Sequence, residues 1–292
     1  MNKKKRLTMT NSREKTILIT GCSKGIGFCT ANTLKALGYR VFATARKKSD
    51  VIRLQELGFQ SEVLDLVDTS SIDSAVANIL DKTDGQLDAV VNNAGYLVLG
   101  AVEDTPIEIF KEQFETNFFG AVYLTNKVIS VMRKQGRGRI VFISSVNGFI
   151  ATPYTGAYSA SKFALEGLVE ALAMELTDSL IQVSIIEPGF IETDLRNVHL
   201  PVKQGSIHQL NYDQLTKINN QSDGKKTLPF IKPSEAVVKK IIHALESSSP
   251  KFRYRITLFT QIMFLLKYLL PDRILIKLLS NITKKKLTQQ KS

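Results

Sequence analysis

The chain has 292 residues, 43% of them hydrophobic, and its 39 Lys and Arg against 27 Asp and Glu give a formal net charge of +12. This apolar content excludes wholesale disorder, and the length suits one large domain or two small ones. Two cysteines cannot build a disulfide scaffold, so a reducing compartment is the simpler expectation.

The excess positive charge lies at the two ends of the chain. Residues 1–15 carry a net +5 and residues 251–292 a net +9, which leaves the body, 16–250, at −2. A nearly neutral body argues against a basic groove, so we predict no nucleic-acid partner. Residues 1–14 are predicted to be a disordered basic arm without a secretory signal, which favours a cytoplasmic protein, and Met9 is a second candidate start.

From Thr16 onward, short β-branched runs alternate with helical patterns, as in an α/β protein. The runs are nearly continuous in apolar residues, which is typical of parallel strands covered on both faces. We predict one doubly wound, three-layered parallel sheet of Rossmann type in a single domain, 15–257. The predicted strands are Thr16–Thr20, Arg40–Thr44, Leu87–Asn92, Arg139–Ser144 and Gln182–Glu187, and the predicted crossover helices span 25–37, 70–83, 106–134 and 156–178.

The alternation stops at residue 190. Residues 190–232 are rich in Pro, Gly and Asn and contain no clear strand, so we predict a substrate lid inserted in the domain. A helix over Ser234–Glu246 and an edge strand over Lys251–Ile256 then complete the domain.

A glycine-rich turn, Thr20–Gly27 (TGCSKGIG), follows the first strand and opens a helix. Glycines permit a tight turn and close approach of a pyrophosphate, and a helix N-terminus offers it free N–H groups. The turn predicts a dinucleotide site formed by Gly21, Ser23, Lys24, Gly25, Ile26 and Gly27.

The second strand ends in Ala45-Arg46-Lys47, where an NAD site would have a carboxylate for the ribose 2′-hydroxyl. Arg46 and Lys24 instead suit a 2′-phosphate, so NADP(H) is predicted and NAD is less favoured. The alternative is that these are solvated surface charges. Asp65 follows a third strand, which lies between those predicted at Arg40–Thr44 and Leu87–Asn92. It is a candidate acceptor for the adenine amino group.

A candidate catalytic pair, Tyr158 and Lys162, is spaced i, i+4 on one predicted helix. A nearby ammonium favours the phenolate, so we expect Lys162 to lower the pKa of Tyr158 and make it a general acid/base. Ser145 lies at the end of the predicted strand Arg139–Ser144 and Asn117 lies on the preceding long helix, and both can reach the same place.

With these motifs in order, the sequence resembles the classical short-chain dehydrogenase/reductase family over about residues 15–257. The resemblance rests on Thr20–Gly27, Asp65, Asn92–Gly95 (NNAG), Asn117, Ser144-Ser145, Tyr158–Lys162 (YSASK), Pro188-Gly189 and Thr193. It implies a Rossmann-type fold, a nicotinamide cofactor and hydride transfer to or from a carbonyl carbon. It also implies a homodimer or homotetramer through the helices near 106–134 and 156–178.

The resemblance further implies a role for each position. Tyr158 would be the acid/base, Ser145 would bind the substrate oxygen, and Asn117 would hold a relay water. Lys162 would bind the nicotinamide ribose and Thr193 the carboxamide. The remaining implied cofactor contacts are Asn93, Ala94, Gly95, Pro188 and Gly189.

The stretch Ala157–Leu176 looks most like the subgroup that acts on steroids, retinoids and other lipophilic compounds. A lipophilic hydroxyl or carbonyl substrate is therefore expected. A 3-oxoacyl-type or small-carbonyl reductase and a non-catalytic NADP-binding sensor or scaffold are the alternatives. No His, Cys and carboxylate set has metal-ligand spacing, so no metal is predicted.

The C-terminal extension, 258–292, is apolar and basic. Its longest uncharged run, Ile256–Leu266, is too short to span a bilayer, and Pro271 should end the helix, so two amphipathic helices are predicted. Two alternatives remain open for their apolar faces. In the first, the apolar faces lie in an anionic membrane interface as a peripheral contact. In the second, they pack over the substrate cleft or a partner subunit.

Overall fold

The computed structural model describes residues 14–191, 206–208 and 231–288, with side chains to residue 284. Residues 1–13 of the predicted basic arm lie outside the described residues. Most of the predicted lid, including Thr193, also lies outside them.

In the described part of the chain, seven strands form one parallel sheet in the order β3-β2-β1-β4-β5-β6-β7. This confirms the predicted doubly wound fold, and the edge strand predicted over Lys251–Ile256 is present as β7. The strands are β1 Thr16–Ile19, β2 Arg40–Ala45, β3 Gln60–Val63, β4 Ala89–Asn92, β5 Gly138–Ile143, β6 Ile181–Glu187 and β7 Arg253–Arg255.

Helices cover both faces of the sheet and continue past β7. They are α1 Gly25–Ala36, α2 Lys48–Glu56, α3 Thr69–Asp81, α4 Ile107–Phe114, α5 Gly120–Gln135, α6 Gly156–Glu175, α7 Ser234–Glu246, α8 Leu258–Leu269 and α9 Asp272–Thr288. The helix predicted over 106–134 is interrupted by a π-helical turn, Glu115–Phe119, between α4 and α5. The break predicted at Pro271 separates α8 from α9.

The central strands are apolar throughout because each strand face is buried in a different core. Ile17 and Ile19 of β1 pack with α1, α2 and α7. Leu18, between them, packs on the opposite face with α3, α5 and α6. Since side chains alternate along a strand, this arrangement requires apolar residues at every position.

The strand order reverses between β1 and β4. In open α/β sheets, the carboxyl edge at such a switch point forms a crevice between two loops that diverge to opposite faces. The loops that follow β1 and β4 are the glycine-rich turn and the Asn92–Gly95 segment, so the fold brings these two predicted motifs together.

Candidate active site

The glycine-rich turn has the tight geometry that its sequence predicts. Gly21 and Gly25 have positive φ values of 71° and 60°, which side-chain-bearing residues rarely adopt. A Cβ on Gly27 would collide with the Gly21 carbonyl oxygen, so α1 approaches β1 closely only because residue 27 is glycine. Among the residues that the structure describes, no side chain caps the N-terminus of α1, which leaves its N–H groups for an anion. The turn therefore fits a cofactor pyrophosphate.

The segment after β4 is hydrogen-bonded to the same turn. The backbone N–H groups of Asn93 and Ala94 donate to the Thr20 hydroxyl at 3.0 and 2.9 Å. The Asn93 amide donates to the Thr20 and Gly21 carbonyls at 2.8 and 3.2 Å. Asn93 thus holds the two loops in register, and Gly95 leaves space beside Asn117 and Lys162.

The predicted phosphate-selecting cations border the turn. Arg46 follows β2 directly, and both Arg46 and Lys24 are exposed. A third cation, Arg53 of α2, donates to the Ser23 carbonyl and pairs with Asp50 at 3.3 Å. The sequence reasoning missed Arg53 because it did not assign α2. Asp65 is half-buried after β3, where its carboxylate accepts from the Val67 N–H at 3.2 Å.

Ser145, Tyr158 and Lys162 lie together, buried, at the carboxyl end of β5 and on the first turns of α6. The Ser145 hydroxyl lies close enough to that of Tyr158 to lower its pKa. Lys162 Nζ donates to the Ile143 carbonyl at 2.9 Å and lies 5.9 Å from the centre of the Tyr158 ring. The predicted catalytic residues are therefore adjacent in space.

The pKa values depart from the expectation for this pair. Burial raises the pKa of Tyr158, and the Ser145 hydrogen bond only partly opposes it, so the predicted lowering by Lys162 is not found. Burial lowers the pKa of Lys162 from 10.5 to about 8, against the opposing field of Glu166. The reason is desolvation, which disfavours the charged form of both groups.

Asn117 lies on the π-helical turn between α4 and α5, a type of turn that is frequent at functional sites. Its side-chain oxygen accepts from the Tyr96 N–H at 3.0 Å, and its amide donates to the Tyr96 carbonyl at 2.9 Å and to Ser161 at 3.2 Å. It is 2% exposed. The amide is thus fixed beside the catalytic helix.

The loop after β6 connects the site to the C-terminal helices. The Val146 N–H donates to the Pro188 carbonyl at 2.8 Å. A Cβ on Gly189 would collide with the hydroxyls of Thr257 and Thr260, at the start of α8. Residue 189 is therefore a close-packing position.

A partly buried charged cluster lies behind Lys162 and was not foreseen from the sequence. Arg253 pairs with Glu166 at 3.2 Å and with Glu187 at 3.1 Å. Arg255 Nε lies 3.0 Å from Glu187 Oε2, in a geometry too poor for a hydrogen bond, and its guanidinium stacks on Phe264. Burial raises the pKa of Glu187 to about 7, and the charge of Glu166 adds to it. The cluster joins β7 and α8 to the catalytic helix.

Helices α8 and α9 cover the segment that follows Ser145. Val146 and Ile150 share one buried apolar cluster with Met263, Leu275 and Leu279. Aromatic contacts join the same surfaces, Phe149 with Phe264 and Phe190 with Phe259, at centroid distances of 5.7 and 5.1 Å. The inner face of the extension therefore packs beside the active site, as one of the two alternatives expected.

Cys22, in the glycine-rich turn, is fully buried, and burial raises the pKa of its thiol to about 12. It is a packing residue there, not a reactive one.

The model of the family described as short chain dehydrogenase matches residues 15–201. The chain belongs to the short chain dehydrogenase family. It is thus an oxidoreductase with the nicotinamide-binding fold of that family, as the motifs predicted.

Several relatives within the short chain dehydrogenase family match over nearly their whole length. The chain is 41% identical to the uncharacterized oxidoreductase YbbO of Escherichia coli, over 91% of this chain and 94% of the relative. It is 36% identical to the 3-ketodihydrosphingosine reductase of Bacteroides thetaiotaomicron, over 89% and 94%. It is 34% identical to the NADPH-dependent 3-dehydrocapnine reductase of Ornithobacterium rhinotracheale, over 94% and 98%.

Solved short chain dehydrogenases have the same fold. One from Streptomyces avermitilis superposes with a TM-score of 0.75 at 28% identity, covering 88% of this chain and 92% of that chain. ElxO with NADP bound gives 0.70 at 25% identity, covering 83% and 97%. The similarity to the steroid and retinoid subgroup is not confirmed by these relatives.

Proposed function

We propose that the chain is an NADP(H)-dependent oxidoreductase that interconverts a ketone and its alcohol on a lipophilic, long-chain substrate. The observation that carries the substrate class is the apolar cluster that joins Val146 and Ile150, directly after Ser145, to α8 and α9. The cluster places hydrocarbon beside the segment that follows Ser145, which favours an apolar substrate.

In the proposed mechanism, Tyr158 and Ser145 act on the substrate oxygen and Lys162 supports them. Because burial raises the pKa of Tyr158, its phenol is protonated at neutral pH and is ready to donate its Oη proton to a carbonyl oxygen. Ser145 donates to the same oxygen. Lys162, with a pKa of about 8, is mostly ammonium at pH 7 and stabilises the phenolate that remains. A bound nicotinamide cofactor would supply the hydride. The protonated phenol is the form of Tyr158 that carbonyl reduction needs.

The cofactor preference rests on charge. Arg46 stands where an NAD site would carry a carboxylate, with Lys24 and Arg53 close by in the turn and on α2. Three cations around one corner of the site suit a 2′-phosphate. A relative named as NADPH-dependent and a neighbour with NADP bound support this preference.

Two relatives support a narrower substrate class than steroids and retinoids. One is named for 3-ketodihydrosphingosine and the other for 3-dehydrocapnine. We propose an amphiphilic ketone with a long alkyl chain, whose hydrocarbon would lie against α8 and α9 and whose carbonyl would reach Tyr158.

We also propose a homodimer or homotetramer in the cytoplasm, with a peripheral membrane contact. Large apolar side chains are exposed on the helical layer that the family resemblance implicates, including Ile107 and Phe119 before α5 and Phe163 and Met174 on α6. Sedimentation velocity of the full chain tests the assembly. A monomer at micromolar concentration would refute it.

A substrate panel tests the function. NADPH oxidation is measured with a 3-keto long-chain amine, the same ketone shortened to four carbons, and a 3-oxoacyl thioester, each repeated with NADH. We expect the highest kcat/KM for the long-chain ketone with NADPH. A preference for the short ketone or thioester would refute the lipophilic class, and no turnover with any carbonyl would favour a cofactor-binding sensor.

A further inference from the structure

The two C-terminal helices carry a second apolar face, which points away from the active site. On α8, Leu258, Ile262, Leu265 and Leu269 follow one another at spacings of four, three and four, so they share one helix face. They are 41–66% exposed, whereas Met263, on the inner face, is 5% exposed. Helix α8 is therefore apolar on both sides.

Helix α9 continues this pattern. Leu275 and Leu279 are buried in the cluster beside the active site, at 4% and 8% exposure. Ile274 and Leu278 are spaced i, i+4 on the adjoining face and are 54% and 36% exposed. We call the exposed residues 258, 262, 265, 269, 274 and 278 the outer face.

The charge around the outer face is predominantly positive. Lys and Arg outnumber Asp and Glu by six to one in residues 258–288. Arg273 and Lys277 are exposed between the apolar positions of α9, and Lys267 is half-buried on α8. An apolar face with a cationic border is the pattern of helices that lie in an anionic lipid interface.

We propose that the outer face of α8 and α9 binds the surface of an anionic membrane. A second copy of the chain fits this face less well, because a two-fold interface would set the same cations against each other. The helices would lie in the interface and not cross it. Twelve residues of α8 reach only about 18 Å, and among the described residues no helix is long and apolar enough to span a bilayer.

Membrane binding would give the site direct access to a lipid substrate. The inner faces of the same helices pack on Val146 and Ile150, so α8 and α9 would lie between the bilayer and Val146. A long-chain ketone could then pass from the bilayer along α8 and α9 without crossing water. This role in delivery rests on the proposed function, whereas the binding itself does not.

Vesicle co-sedimentation of the full chain tests the binding. The vesicles are phosphatidylcholine alone or phosphatidylcholine with 30% phosphatidylglycerol, on the order of cellular anionic content. The test variant is Leu265→Glu with Leu269→Glu, and the control is Leu180→Glu, an equally apolar and 76% exposed position in the loop before β6. We expect the wild type and control to pellet with anionic vesicles and the double variant to bind roughly tenfold more weakly.

Two results would overturn the proposal. The first is equal pelleting of the wild type and the double variant. The second is a change in oligomeric state of the double variant in sedimentation velocity without vesicles, which would assign the face to a second copy. Turnover of a short, water-soluble ketone without vesicles is measured in parallel. It tests the proposed oxidoreductase separately, and we expect the double variant to retain it.

Discussion

We predict that the buried charge of Lys162, which serves the site, lowers the free energy of unfolding. Lys162 is 5% exposed, and burial lowers its pKa from 10.5 to about 8. This lowering corresponds to about 3 kcal/mol of destabilisation when the residue is charged. Replacing Lys162 with Met, which has a similar shape and no charge, removes this cost.

The substitution also removes the hydrogen bond to the Ile143 carbonyl, worth about 1 kcal/mol. We therefore expect Lys162→Met to raise the free energy of unfolding by about 2 kcal/mol at pH 7 while abolishing turnover. Because the folded-state pKa is the lower one, the cost is fully present below pH 8 and disappears as the pH rises towards 10.5. The gain should thus shrink by about 2 kcal/mol between pH 7 and pH 9.5.

Urea unfolding at the two pH values measures this gain. The matched control is Lys240→Met, at an exposed position on α7, which should change stability little at either pH. A Lys162→Met variant that is less stable than the wild type at pH 7, or equally stabilised at both pH values, would refute the reasoning.

Three further substitutions test the cofactor site and its supports. Gly27→Ala should lower the free energy of unfolding by about 2 kcal/mol, because its Cβ meets the Gly21 carbonyl, and calorimetry should show no NADPH binding. The control is Gly167→Ala on α6, where a Cβ meets nothing within 4 Å, and this substitution should stabilise the fold. Normal NADPH binding by Gly27→Ala would contradict this geometry. Arg46→Glu should lower kcat/KM for NADPH relative to that for NADH by roughly tenfold or more. Lys48→Glu is the control and should leave this ratio unchanged. An unchanged ratio in Arg46→Glu would mean that the 2′-phosphate binds elsewhere. Asn117→Ala should lower the free energy of unfolding, measured by urea unfolding, by about 2 kcal/mol, because it leaves the buried backbone groups of Tyr96 without partners. An unchanged free energy of unfolding would show that other groups replace these hydrogen bonds.

Sequence patterns predicted the central sheet because β1, β4 and β5 are buried on both faces and therefore read as continuous apolar runs. The edge strand β3, Gln60–Val63, carries polar residues at three of its four positions, so its bounds were not predicted, and α2 was not assigned. The π-helical turn at Asn117 keeps helical periodicity and is invisible in the pattern.

The site was predictable where its residues are close in sequence and not where the fold brings them together. Tyr158 and Lys162 share one helix, and their motif predicts them directly. Arg253 meets Glu187 and Glu166 across 66 and 87 residues, a pairing that no local pattern indicates. The pKa of Tyr158 also depends on burial, which spacing alone does not reveal.

Tyr158 is the proposed proton donor to a carbonyl substrate. The most direct measurement is single-turnover NADPH oxidation with the long-chain ketone by the wild type and by Tyr158→Phe. The two side chains differ only in the phenol hydroxyl, so we expect the variant to bind NADPH normally and to lose about 10²–10⁴-fold in rate. Equal rates in the two proteins would contradict the account.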